Sequence, residues 1–168
     1  MKNKNVRLMC ISAVFVALVF VITAYLQIPT NNGFIHVGDG FIYLAACILP
    51  WPYAIAVGVG GAVLADVLTG YAVWAPGSMI IKALIVCVFS NKGKRIVNRR
   101  NLLALIPAAA ICAVGYYLYE AFMYGNFVAP ITGILASLTQ SAASSVCFIL
   151  LGLAIDKIDF KSKMLGGF

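Results

Sequence analysis

From Leu8 to Ile28 the chain runs 21 residues without a charged side chain. A helix rises ~1.5 Å per residue and the hydrocarbon core of a bilayer is ~30 Å thick, so a run of that length crosses a membrane once. Further apolar stretches follow at Gly40 to Gly70, Ala75 to Ser90, Leu102 to Tyr124 and Pro130 to Ile155, none with more than one charged residue. Of the 168 residues, 63% are hydrophobic and 10% charged, and the mean hydropathy is +1.01. A soluble domain is roughly half apolar and a quarter charged, so the surplus must face lipid. The first run begins like a signal peptide, basic and then apolar. It is too long for the apolar core of one, and no small-residue cleavage site follows, so it reads as a retained span.

The net charge of +7 would suggest nucleic acid on a soluble protein, but its distribution argues otherwise. Of twelve Lys and Arg, three lie at Lys2, Lys4 and Arg7, five between Lys92 and Arg100, and three at Lys157, Lys161 and Lys163. Tight basic clusters between apolar runs mark cytoplasmic flanks. The stretch from residue 40 to 70 could cross once or twice. Pro50 and Pro52 flank Trp51 in its middle, which favours a break at an interface. Two crossings also place the loop from Lys92 to Arg100 on the same side as the N-terminus. The expected fold is therefore an all-α integral membrane domain, a bundle of six transmembrane helices with both termini cytoplasmic. The helices are expected at about 8–28, 39–50, 52–70, 75–90, 102–124 and 130–155.

The ionisable residues in or near these spans are few, and such residues face a cavity or a partner rather than lipid. Asp66, Lys82 and Glu120 lie in the outer half of their helices, and His36 and Asp39 lie just before the second. Gln140 shares a helix face with Gly133, Ser137, Ser141 and Ser144, and Cys112, Tyr116, Tyr119, Glu120 and Met123 share another. Aromatic walls with a few placed polar groups suit a small-molecule site. Small polar residues in membrane helices also serve helix packing, and Lys82 could pair with Asp66 or with Glu120. The candidate substrate contacts are Phe34, His36 and Asp39 on the outer loop, then Trp74 and Lys82, then Tyr116, Glu120, Gln140 and Ser144. No zinc pair, nucleophile elbow or phosphate loop is present, so neither a catalytic set nor ATP hydrolysis is expected. The five scattered cysteines form no CxxC pair and read as small buried hydrophobes rather than metal ligands or disulfides. No cofactor or metal is expected.

Ala13-x-x-x-Ala17 in the first span resembles the AxxxA motif of the substrate-binding S-components of energy-coupling factor (ECF) vitamin transporters. The segment VGDGFIYLAACILPWPYAIAVGVGGAVLADVLTGYAVWAPGSMIIK, Val37 to Lys82, is similar to the pyridoxine- and hydroxymethylpyrimidine-type members. The resemblance implies a multi-pass protein of the bacterial plasma membrane that captures a small water-soluble vitamin or heterocyclic precursor from outside. It implies docking through Ala13 and Ala17 on a membrane coupling subunit driven by two ATPase subunits, followed by toppling and inward release. It also implies that Asn31 to Asp39 form a lid. A queuine-type deazapurine is the alternative ligand. A non-transport membrane assembly protein and a small intramembrane enzyme are the alternatives of other classes.

Overall fold

The computed structural model describes residues 2–30 and 33–165. Helix α1, Lys2–Tyr25, leads into an antiparallel hairpin of β1, Gln27–Thr30, and β2, Gly33–His36. Helices α2 (Asp39–Ile48) and α3 (Trp51–Leu68) follow, then a 3₁₀ turn over Ala72–Trp74 that runs into α4, Ala75–Val88. Helices α5 (Arg99–Tyr124) and α6 (Ile131–Lys157) complete the bundle, and α7, Phe160–Leu165, closes the described chain. Among the described residues four helices, α1, α3, α5 and α6, are long and apolar enough to cross a membrane. The ten residues of α2 and fourteen of α4 reach only ~15 and ~21 Å.

The boundaries have local causes. Pro50 is extended (ψ 147°) and Pro52 occupies the first turn of α3, so helix cannot continue from α2 and restarts one residue later. The Asn98 side chain accepts a hydrogen bond from Asn101 N at 3.0 Å at the start of α5, and Gly125 ends that helix in the left-handed region at φ +61°. The first helix stops at Tyr25 rather than the expected Ile28 because Gln27 and Ile28 pair with His36 and Ile35 across the hairpin. Cys10 and Cys87 face outward, contrary to the expected burial of all five cysteines.

Residues Leu8, Ile11, Ser12, Phe15 and Val19 form the buried stripe of α1 at helical spacing. It packs on α3, where a Cβ at Gly61 would lie 2.5 Å from Val19 Cγ1. Ala13 and Ala17 lie on the outer side and are exposed. Nine of the ten residues of α2 are buried, because α1, α3, α4 and α6 all pack against it. Beneath it, Tyr43 stacks on Phe89 with centroids 4.8 Å apart, and Phe148 closes on both rings. The basic clusters meet at one end of the bundle: Arg7 donates to the Lys163 carbonyl, and Lys161 to those of Asn91 and Gly93. The hairpin covers the other end.

Candidate functional site

Asp39 is the first residue of α2, where its negative charge complements the helix dipole. It is 0% exposed, Lys82 of α4 is 1% exposed, and Lys82 Nζ stands 2.7 Å from Oδ1 and 3.0 Å from Oδ2. Gln140 of α6 donates from Nε2 to Asp39 Oδ2 at 2.9 Å and lies 3.9 Å from Cys112 Sγ of α5. The ammonium of Lys82 also sits 5.1 Å from the centre of the Tyr116 ring, a cation–π distance. Three helices thus meet at one buried carboxylate, and α5 packs against both of its partners.

An aromatic wall rises from this hub toward the hairpin end. Trp74 lies 6.5 Å from Tyr116 and 6.0 Å from Tyr119 between ring centres. The Tyr119 hydroxyl donates to the Val73 carbonyl at 2.6 Å, and the Tyr116 hydroxyl shares a hydrogen bond of 3.0 Å with Ser78 Oγ. On the hairpin side, Ser144 Oγ donates to the His36 carbonyl at 3.5 Å. The His36 ring is buried, and its Nδ1 accepts from Gly38 N at 3.1 Å.

The sequence-derived candidates therefore divide. His36, Asp39, Lys82, Tyr116, Gln140 and Ser144 come together, with Trp74 at the aromatic edge. The side chain of Phe34 lies outside the described residues, as do Asn31 and Asn32 of the expected lid; the rest of that segment forms β2 and the turn into α2. Lys82 pairs with neither Asp66 nor Glu120 but with Asp39. Counting residues along a helix gives the height of a side chain, not its direction around the axis, and α2 turns Asp39 inward beneath Lys82. Glu120 stands apart, against Gly133 of α6, where an added Cβ would lie 3.2 Å from Oε2. Gly133 is seven residues from Gln140, or ~10 Å along the helix, so Glu120 belongs to a shallower level. Glu120 Oε2 and Asp66 Oδ2 are buried without a hydrogen-bond partner among the described residues; buried acceptors of this kind are met by water or ligand. Ser141 donates to the Ser137 carbonyl at 2.9 Å within α6, which is a packing role. Tyr119 and Ser78 join the site without having been singled out as contacts, although Tyr119 shares the face of Tyr116 one turn away.

The electrostatics suit recognition. The Lys82 charge is matched by Asp39, so the hub presents little net field. Because Gln140 Nε2 must face the carboxylate, its Oε1 is fixed as an acceptor for something else. Burial, with Lys82 opposing Asp39 in smaller measure, lowers the His36 pKa from 6.5 to about 4. His36 stays neutral when folded between those values, whereas the unfolded chain takes up a proton there. Its contribution to stability is therefore complete above about pH 6.5 and falls as pH drops toward 4, by about 3 kcal/mol in all. The protection factors of the hairpin amides, with exchange corrected for its intrinsic dependence on pH, should fall over that window in the parent protein and not in His36→Gln; an equal fall in both would place the titration elsewhere.

No curated protein matches the chain. Residues 3–157 match the family model described as ECF-type riboflavin transporter, S component, and the chain belongs to that family.

Proposed function

We propose that this S component captures a neutral, aromatic, hydrogen-bonding heterocycle, a water-soluble vitamin or vitamin precursor, at the hub formed by Asp39, Lys82 and Gln140. ECF S components bind a small-molecule substrate and work with a membrane coupling subunit and ATPases. In this reading the four long helices cross the bacterial plasma membrane and the shorter α2 and α4 cross or enter it, the hairpin end faces outward, and both termini are cytoplasmic. The chain itself performs no ATP hydrolysis; partner ATPases supply it. The observation that carries the proposal is the convergence of Lys82 and Gln140 on one buried carboxylate beneath an aromatic wall. Trp74, Tyr116 and Tyr119 supply faces for a planar ring, and Gln140 Oε1 supplies an acceptor for a ring N–H or a hydroxyl.

The family's description names riboflavin, whereas the Val37–Lys82 segment is similar to pyridoxine- and hydroxymethylpyrimidine-type members. Purified protein should be examined by native mass spectrometry for a retained solute, then titrated with riboflavin, pyridoxine, hydroxymethylpyrimidine and queuine. One of them should bind, and Gln140→Ala should weaken that binding roughly 10- to 100-fold, the cost of about 1–3 kcal/mol for an unmet polar group. Protein that retains nothing and binds none of the four would favour a non-transport membrane interaction protein instead.

A further inference from the structure

We propose that Lys161, at the basic end of the bundle, is a positioning residue for Asp39 and acts through α2. Lys161 lies on α7 and spends all three ammonium donors on backbone carbonyls: Cys47 at 2.8 Å, Asn91 at 2.5 Å and Gly93 at 2.7 Å. None goes to a carboxylate. The Cys47 carbonyl belongs to the last turn of α2, where carbonyls have no partner within the helix. Next to it, Asn91 Nδ2 donates to the Leu49 carbonyl at 3.0 Å. The C-terminal end of α2 is therefore held by a cation, the favourable sign for that end of a helix dipole, while Asp39 supplies the favourable sign at the other.

Helix α2 has no slack in which to absorb a displacement. Cys47 is eight residues from Asp39, ~12 Å along a rod that is buried nearly throughout. Near its site end a Cβ at Gly40 would lie 2.8 Å from the Ser144 carbonyl, so α2 rides directly on the backbone of α6. Asp39 then takes its hydrogen bond from Gln140, also on α6. At the basic end, the loop that receives Lys161 is itself tied to α6, because Asp156 accepts from Ile96 N at 2.8 Å and Val97 N at 2.9 Å. The position of α2 against α6 is thus fixed at two places, Lys161 below and Asp39–Gln140 above. A close-packed interior passes a shift at one end to the other, so loosening the lower tie draws Asp39 off Gln140.

Hydrogen exchange read by mass spectrometry on the full chain in detergent micelles tests this without a ligand, and so independently of the proposed capture function. Lys161→Met keeps the aliphatic stem and removes the donors. It should speed exchange at residues 45–49 and 91–98, and also by at least threefold at residues 36–43, at the opposite end of α2. Lys161→Arg should restore the slower exchange at 36–43. Asn91→Ala, a milder change that removes the Leu49 tie, should move 36–43 in the same direction by less, and it serves if Lys161→Met does not fold. Faster exchange confined to 45–49 and 91–98, in either variant, would make Lys161 a local pin and overturn the proposal.

Discussion

Lys82→Met should destabilise the protein by about 3–5 kcal/mol, the penalty for leaving one member of a buried ion pair without the other. Asp39 is fully buried, and in the variant its carboxylate would keep only the Gln140 amide as a partner. The double variant Lys82→Met/Asp39→Leu should recover most of the lost stability, because two apolar side chains of similar volume replace the pair and leave no orphan charge. Solute binding should be lost in both. Thermal unfolding in detergent, run beside titration with the solute found by mass spectrometry, separates the two effects. A double variant that is stable and still binds normally would move the site away from the hub. A single variant as stable as the parent would show that the pair does not hold the bundle together.

Replacing Ala13 and Ala17 together with tryptophan should abolish uptake by cells while leaving solute affinity within about twofold. Both alanines are exposed, on the side of α1 away from the stripe that packs on α3. Small residues at that spacing allow another helix to approach closely, and two indoles would hold it away. Neither alanine contributes to the buried core, so the fold should tolerate the change. The measurement is uptake of radiolabelled solute in cells that express the coupling subunit and ATPases, beside binding to purified protein. Loss of binding would place that face in the capture site; retained uptake would send docking to another surface.

What could be read from the chain followed the strength of the constraint at each position. Pro50 and Pro52 around Trp51 announced the break between α2 and α3, because proline leaves the backbone no choice. Lys82 and Gln140 stood out because lipid does not tolerate them. The partner of Lys82 is another matter: by sequence Asp39 belongs with the outer loop, and only the rotation of α2, set by four surrounding helices, turns it under the ammonium. The hairpin was hidden because Gln27–Thr30 and Gly33–His36 are four residues each, too short for alternation to show, and Ile28 extended the apparent span. Helix α7 was hidden for the same reason, being six residues of mixed polarity. Glu120, a possible partner of Lys82 by sequence, lies instead against Gly133 at a shallower level, since the number of residues from a helix end says nothing of which neighbour a side chain meets.

The burial of α2 has a consequence for how the protein responds to its lipids. Helices α1, α5 and α6 expose large apolar side chains along their length, so a thicker or thinner bilayer tilts or strains them. The helix that carries Asp39 presents almost nothing to acyl chains and takes its position from protein alone. Solute affinity should therefore stay nearly constant as acyl-chain length is varied in reconstituted vesicles, even where the tilt of the lipid-facing helices does not.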